Sequence, residues 1–381
     1  MQFVFKNEHR YFSAVWPYST RKLLGEQSLS VQCDPTHMQR RKLLRQAFAP
    51  KVLAAYVPEM ERIARIHLAK WRAEGRFAWC SRLADFTYHL ACSLIVGDER
   101  LLGLADTFQT WIQGLFSLPV PLPWARFGRA QRARAELIGG IEMTVRERLR
   151  DGISPGARDA LSVLLSASDE HGEKLSVKEL CDQLLTLLFA GHDTSSSALA
   201  SFCLLVAQHP KVLSRLRAEQ SGADLDGPLA IDMVERMPYL GQVVREVLRL
   251  VPPVGGGFRT VLTPCEFAGY RIPKGWRVHY QIHSTHRNDA HFAEPDSFDP
   301  DRFGPERAED RHTRFALVPF GGGPRIGIGM EFARIEMLVL GSLLLRDYQW
   351  DIEPDQDLTI DSMPVPRPRS GLIVRFRPRA S

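Results

Sequence analysis

The sequence predicts a mainly α-helical fold with small β-sheets. Apolar residues recur at helical spacing over most of residues 1–250, and short apolar runs separated by glycine and proline follow from residue 251 onwards. The chain has 381 residues, of which 44% are hydrophobic, so it can bury a large core. It contains no repeat and no clear linker. We expect a single domain over residues 1–381, helix-rich over 1–250 and of mixed helix and strand over 251–381.

Seven runs with helical spacing predict helices, and one of them is unusually long. They cover residues 36–48, 51–74, 80–95, 130–150, 176–207, 231–250 and 330–345. The run that begins at Ser176 is apolar nearly all round in its middle, so we expect it to cross the protein interior. Pro210 ends it, because proline cannot continue a helix. Strands are predicted at 258–262, 265–267, 270–272, 277–282 and 371–376.

Charge, cysteine content and hydropathy argue against several classes of protein. The formal net charge of +5 is mild and does not indicate a nucleic-acid partner. The six cysteines form no CxxC pair, so we expect a reducing compartment without a disulfide framework or a zinc site. No apolar stretch reaches the length of about 18 residues that a transmembrane helix needs. The polar, charged start does not resemble a signal peptide, and we expect a cytoplasmic protein.

The long predicted helix contains Ala190-Gly191-His192-Asp193-Thr194 in its middle. Glycine is costly inside a helix, and aspartate and threonine are also poor helix formers. A threonine hydroxyl can donate a hydrogen bond to the carbonyl four residues earlier and bend the helix. We therefore expect a local opening that places a carboxylate and a hydroxyl side by side in an apolar interior. A kink tolerated for packing is the alternative interpretation.

The second pattern is a glutamate and an arginine on one predicted helix. Glu246 and Arg249 lie three residues apart and therefore share a helix face. Arg302, in the segment FDPDRF, is a candidate for the same carboxylate, which would then hold two guanidinium groups in a fixed network. The alternative is a routine surface ion pair, which is common and weak.

The third pattern is the loop FGGGPRIGIG at residues 320–329, directly before the predicted helix 330–345. Its glycines allow a close approach to something flat. Phosphate binding is an alternative, because glycine-rich loops before helices bind anions. No Lys-Ser or Lys-Thr pair follows, so the loop does not match a Walker A motif and nucleotide binding is disfavoured.

These three patterns, in this order, resemble the cytochrome P450 superfamily from about residue 20 to the C-terminus. The resemblance implies the P450 fold, haem b as the cofactor and oxidation with O₂. It implies that Asp193 and Thr194 relay protons during catalysis, and that Glu246, Arg249 and Arg302 are structural. The residues that it implies as cofactor-binding are His37, Arg41, Ala190, Gly191, Arg259, Phe320, Arg325 and Gly327.

Four of these implied residues would bind the haem propionates, namely His37, Arg41, Arg259 and Arg325. Phe320 would pack beside the proximal ligand. For each arginine taken alone, a solvated surface role is the alternative. The run LFSLPVPLPWARFGRA at residues 115–130 resembles retinoid-, sterol- and terpenoid-oxidising branches, which implies an apolar, isoprenoid-like substrate. A proline-rich connector is its alternative. The implied electron donor is a ferredoxin or flavodoxin-type protein.

The chain departs from the family pattern in two places. The family loop requires a cysteine two residues after the arginine, and this position is Gly327, which has no side chain to bind iron. The loop 320–329 contains no cysteine and no histidine, so we expect no metal ligand there. The chain also starts close to the family's third helix, and we expect an N-terminally shortened P450 fold.

Three hypotheses follow from the absent thiolate. In the first, a P450 has recently lost its ligand and is inactive or strongly impaired as a monooxygenase. The second hypothesis is a haem-free P450-like scaffold, which would act as an auxiliary or ligand-binding protein. In the third, haem is bound without thiolate and supports altered, peroxidase-like chemistry. Asp193 and Thr194 are still together in the sequence, which favours the first.

Overall fold

The first part of the chain is almost entirely helical. The computed structural model describes residues 1–222 and 227–379. Its helices up to residue 222 are α1 (Gln2–Lys6), α2 (Tyr18–Leu24), α3 (Thr36–Leu44), α4 (Pro50–Glu74), α5 (Trp79–Ala91), α6 (Ala105–Gly114), α7 (Arg126–Asp151), α8 (Ala160–Ser166), α9 (Val177–Gln208) and α10 (Pro210–Gly222).

Short strands and helices make up the rest of the described chain. The helices are α11 (Ile231–Glu235), α12 (Pro238–Leu250), α13 (Ile282–His286), α14 (Glu309–His312) and α15 (Met330–Asp347). The strands are β1 (Phe12–Ala14), β2 (Arg76–Ala78), β3 (Gly256–Val261), β4 (Cys265–Phe267), β5 (Tyr270–Ile272), β6 (Arg277–Gln281), β7 (Tyr348–Ile352), β8 (Ile360–Asp361), β9 (Arg367–Pro368) and β10 (Ile373–Pro378). The predicted fold class, mainly α with small sheets, is confirmed.

The sheets are small and antiparallel among the described residues. One has the order β1-β3-β6 and another β2-β10-β7, and β4-β5 and β8-β9 are two-stranded. β1 lies along β3 with Ser13 opposite Thr260, so the first residues of the chain add a strand beside the C-terminal part. This pairing brings the segment before β1 close to the loop at 320–329.

The helix predicted over 231–250 is two helices. α11 ends at Glu235, and α12 begins at Pro238, which occupies the first position of the helix. Proline fits that position because its missing N–H would have no partner there, whereas inside a continuous helix it would clash with the preceding turn. The helices α6, α8 and α10 were not among the predicted runs. The strands predicted at 265–267 and 270–272 match β4 and β5.

α9 is the helix around which the core is built. It packs against α5, α7, α10, α12 and α15, and most of its side chains are buried. Ser176 caps its start: the hydroxyl accepts a hydrogen bond from the Glu179 N–H, and the Glu179 carboxylate accepts one from the Ser176 N–H. The predicted crossing of the interior is confirmed by the buried residues on both sides of the stretch 190–194.

A fully buried charge network connects α12 to the segment that contains Arg302, between β6 and β7. Arg249 donates from Nε and Nη2 to the Glu246 carboxylate at 2.7 and 2.9 Å. Arg302 donates from Nε to the same carboxylate at 3.1 Å. All three side chains are completely buried, so the predicted trio lies together and is not a surface ion pair. Buried charges need such partners, because desolvation is costly.

We predict that Glu246→Gln strongly destabilises the protein. The change leaves the buried Arg249 without a carboxylate and removes one of the two carboxylates of Arg302, which keeps Glu309. Breaking a buried pair costs about 3–5 kcal/mol. Urea unfolding followed by circular dichroism measures the loss. Glu142→Gln is the control, because Glu142 pairs with Arg146 at the surface and such pairs contribute less than about 1 kcal/mol. Equal, small effects in the two variants would contradict the structural role of the network.

Candidate functional site

The stretch 190–194 interrupts the buried course of α9. Ala190 is exposed and Gly191 and Thr194 are half-exposed, although the helix on either side is buried. A Cβ placed on Gly191 would meet no atom within 4 Å. Thr194 Oγ1 donates to the Ala190 carbonyl at 2.6 Å, as predicted. The helix itself is continuous here, so the expected opening of its backbone is not observed. What this stretch has is open space in front of one helix face.

Asp193 and its neighbour His192 point into the interior. Asp193 is buried, and burial raises the pKa of its carboxyl, while the charge of Arg367 acts in the opposite direction. The carboxyl therefore keeps its proton to higher pH than an exposed aspartate does. His192 Nε2 lies 3.6 Å from Asp193 Oδ1. Asp193 and Thr194 are thus adjacent on the helix, with the acid buried and the hydroxyl facing the open side.

His192 is a positioning residue that the sequence did not identify. Its Nδ1 lies 3.0 Å from Thr87 Oγ1 on α5, and its Nε2 lies 3.0 Å from Gln109 Nε2 on α6. Burial and then the charge of Arg367 lower its pKa to about 4, so the ring is neutral near pH 7. The Gln109 amide can donate only to an unprotonated Nε2, which places the ring proton on Nδ1. These contacts hold the 190–194 stretch against two neighbouring helices.

Glycine is required at only some positions of the loop 320–329. Gly321 and Gly323 have φ angles of 74° and 69°, which side-chain-bearing residues rarely adopt. Gly323 also touches α1, since a Cβ there would lie 2.5 Å from the Phe5 carbonyl oxygen. Gly327 is different: its φ is not positive, it is exposed, and a Cβ would meet the Phe320 side chain at 3.3 Å. The backbone at 327 therefore accepts a side chain after a small movement of Phe320.

The four predicted cationic residues gather beside this loop. Arg41 Nη2 donates to the Ile326 carbonyl at 2.5 Å, and Arg325 Nη2 donates to the Gln32 carbonyl at 2.7 Å. Burial and then the charges of Arg325 and Arg41 lower the pKa of His37 to about 3. Arg259, on β3, joins the group through an acid that it shares with Arg325, described next. Three guanidinium groups thus lie close to the loop, and protein carbonyls and one carboxylate hold them there.

The sequence missed three residues of this cluster. Glu8 lies between Arg259 and Arg325, with Nε–Oε distances of 2.5 and 3.1 Å. His9 Nδ1 lies 2.9 Å from Asp34 Oδ2, and His37 Nδ1 lies 3.5 Å from Asp34 Oδ1. None of the three belongs to a recognisable motif, because Glu8 and His9 lie between α1 and β1 and Asp34 lies between α2 and α3, and they gather only when the chain folds.

This cluster favours an anion over a cation. His9, Asp34 and His37 are close enough to offer one ligand atom each to a metal ion. However, the charges of Arg41 and Arg325 act directly on His37, and a divalent cation would be repelled by them. His37 Nδ1 is buried and makes no hydrogen bond in the described chain. An incoming anion would supply partners that the cluster now lacks.

Comparison with known proteins decides the family. The family model "Cytochrome P450" matches residues 1–376. The chain belongs to the cytochrome P450 family. Cytochrome P450 120 of Synechocystis is 44% identical over 377 residues, covering 98% of this chain and 84% of that protein. Cytochrome P450 26B1 of Xenopus tropicalis is 35% identical over 386 residues, covering 98% and 75%. The structure described as "Retinoic acid bound cyanobacterial CYP120A1" superimposes with a TM-score of 0.94 at 43% identity, covering 99% and 87%.

The family's cofactor is haem, and most of this site suits it. The cations and the unpartnered His37 nitrogen suit the two carboxylates of a haem, and the open face at Ala190 and Gly191 suits a flat group. The exception is position 327, where glycine offers no atom to the iron. No described helix is both long and apolar enough to cross a membrane.

Glu336 links α15 to α9 and makes stability depend on pH. Ser195 Oγ donates to Glu336 Oε2 at 2.7 Å, whereas Oε1 is buried without a partner. Burial raises the pKa of Glu336 to about 8, although the Ser195 hydrogen bond opposes this. The folded state therefore binds a proton that the unfolded state releases above its ordinary pKa of about 4.5. The contribution of Glu336 to the free energy of unfolding therefore falls as the pH rises from about 4.5 to about 8.

We predict that Glu336→Gln raises the melting temperature at pH 9 and leaves it nearly unchanged at pH 4.5. The amide accepts the Ser195 hydrogen bond but carries no charge to be desolvated at high pH. Differential scanning calorimetry across this pH range measures the difference between variant and parent. Glu331→Gln is the control, since Glu331 lies on the exposed side of the same helix and pairs with Arg334. A difference that does not depend on pH would contradict the buried, protonated carboxyl.

Proposed function

We propose that this single domain of residues 1–381 is a haem-binding P450 whose inherited monooxygenase activity is lost or strongly impaired. The observation that carries the proposal is Gly327 within FGGGPRIGIG. A cysteine thiolate at this position binds the iron and favours O–O cleavage in the family. With glycine there, the chain supplies no thiolate, while the rest of its site keeps the family pattern.

Haem retention rests on the cations and on apolar burial. We assign His37, Arg41, Arg259 and Arg325 to the two propionates. Burial of the porphyrin faces adds on the order of 25 cal/mol per Å² of apolar area. We place Ala190 and Gly191 against one face of the haem and Phe320 beside the ligand position. Haem b, when bound, supplies the redox-active iron of this family's oxidations.

The acid and the alcohol of α9 support recent loss of the ligand. Burial raises the pKa of Asp193, so this side chain can hold and release a proton inside the protein. The Thr194 hydroxyl is held by the Ala190 carbonyl and stands at the open face of the helix. A scaffold without oxygen chemistry has no use for these two groups side by side. Their retention favours a P450 that lost its thiolate over a haem-free auxiliary protein.

The substrate we propose is an apolar, isoprenoid-like molecule. Retinoic acid, named in the description of the 43% identical cyanobacterial structure, is such a molecule. The apolar segment 115–130 of this chain agrees with that class and would cover the substrate side of the pocket. A ferredoxin or flavodoxin-type donor would supply electrons, and we place the protein in the cytoplasm. Haem held without thiolate would leave peroxidase-like oxidation as the remaining chemistry.

We predict that Gly327→Cys restores thiolate ligation. The backbone at 327 tolerates a side chain, and only Phe320 has to move by a few tenths of an ångström. The reduced, carbon-monoxide-bound spectrum should acquire the thiolate signature, and reductase-driven hydroxylation should appear. Gly329→Cys is the matched control, because it puts a thiol in the same loop without a clash, its Cβ lying 3.9 Å from the Phe48 ring.

The control variant should show neither the signature nor the activity. A Gly327→Cys protein that is folded and loaded with haem, yet lacks the thiolate signature, would contradict the proposal. Robust hydroxylation by the unmodified chain would contradict it as well.

A further inference from the structure

Glu8 is a buried acid placed between two arginines that are distant in the sequence. Its side chain is only 2% exposed. Oε2 accepts from Arg259 Nε at 2.5 Å, and Oε1 lies 3.1 Å from Arg325 Nε. Glu8 belongs to the segment between α1 and β1, and α1 packs directly on the loop 320–329 through Phe5. One carboxylate thus joins the N-terminal segment, β3 and the loop.

Both arginines face Glu8 with Nε: Arg259 donates a hydrogen bond to it, whereas Arg325 forms an ion pair without hydrogen-bond geometry, and each keeps donors free on the other side. A guanidinium group has five N–H donors, one on Nε and two on each Nη. Beyond Glu8, Arg259 uses Nη1 for the Phe258 carbonyl, and Arg325 uses Nη2 for the Gln32 carbonyl. Arg259 Nη2 and Arg325 Nη1 make no hydrogen bond within the described part of the chain. These two nitrogens are available to an incoming carboxylate.

The charge of Glu8 is what allows the two arginines to lie together. Arg259 and Arg325 are both largely buried, and the charge of Arg259 acts on Arg325 in the sense that disfavours its protonated form, while Glu8 acts in the opposite sense. Arg41 adds a third guanidinium beside the loop. Without Glu8, the repulsion between the two guanidinium groups would be offset only by water, and their side chains would separate.

We propose that Glu8 is a positioning residue for the carboxylates of the cofactor. It holds Arg259 by a hydrogen bond and Arg325 by an ion pair, so that Arg259 Nη2 and Arg325 Nη1 form a prepared pair of donors. The inference rests on the proposed function, because it takes haem as the ligand. Glu8 itself does not touch the cofactor and acts only through the two arginines.

The test compares a porphyrin that has carboxylates with one that has none. Fluorescence titration gives the affinity of the full chain for iron-free protoporphyrin IX and for its dimethyl ester, in detergent at matched concentration. Neither ligand contains iron, so Gly327 does not influence the result. Unmodified protein should bind the diacid more tightly than the diester, and Glu8→Gln should reduce this preference roughly tenfold, the effect of one charged hydrogen bond or more.

Glu26→Gln is the matched control, because Glu26 is a highly exposed acid that pairs with Lys22. It should leave the preference unchanged. A purely structural effect of Glu8→Gln would weaken both ligands equally and leave their ratio intact, so an unchanged ratio overturns the inference. If Glu8→Gln does not fold, Glu8→Asp takes its place: it keeps the charge on a shorter side chain and should lose part of the preference.

The remaining outcomes separate this inference from the proposed function. A preference that increases in Glu8→Gln would mean that Glu8 competes with the cofactor carboxylates, which overturns the positioning role but leaves haem binding in place. If the unmodified chain binds neither porphyrin, the proposed function fails and the inference fails with it. If it binds both equally, the inference fails together with the assignment of the cations to the propionates, while porphyrin binding stands.

Discussion

Pairing of buried arginines with buried carboxylates is the constraint on which this structure depends. Glu246 pairs with Arg249 and Arg302, backbone carbonyls and Glu309 accept from their further N–H groups, and none of the three side chains is exposed. Glu8 pairs with two other arginines, Arg259 and Arg325, and each of them faces it only with Nε. The Glu246 network leaves no donor free for a ligand, and it connects α12 to the segment that contains Arg302. The Glu8 arrangement leaves donors free, and the same physical requirement therefore produces a binding site.

The glycines of the loop 320–329 differ in whether the backbone conformation requires them. Gly321 and Gly323 have backbone angles that favour glycine, so replacing them would strain the loop. Gly327 has no such requirement, and a side chain fits there after a small movement of Phe320. Glycine at 327 is thus not there to shape the loop. In the proposed function, glycine at this position removes the iron ligand and leaves the shape of the loop unchanged.

Local pattern was sufficient to predict the fold class, the long central helix and the hairpin of β4 and β5. The Glu246 network was also foreseeable, because the sequence places two of its members on one helix face. The break at Pro238 was missed although its signal, a proline inside a helical pattern, was visible. The opening expected at Gly191 is absent because tertiary contacts of the helix outweigh the weak propensity of a few residues.

The acid that organises the cation cluster could not be predicted from sequence. Glu8 lies 251 residues from Arg259, and nothing in its neighbourhood marks it as more than a surface residue. The same is true of His192, whose partners Thr87 and Gln109 come from two other helices. Such contacts depend on the packing of distant segments, and a single sequence carries no local sign of them.

The central claim is that the chain holds haem by its cations and its apolar pocket, without a thiolate. The most direct test is the visible absorption spectrum of the unmodified protein, expressed with ample haem precursor, first oxidised and then reduced under carbon monoxide. The account predicts a Soret band that lacks the thiolate–CO signature. A thiolate–CO signature would contradict the assignment of Gly327, and the absence of any Soret band would contradict haem binding itself.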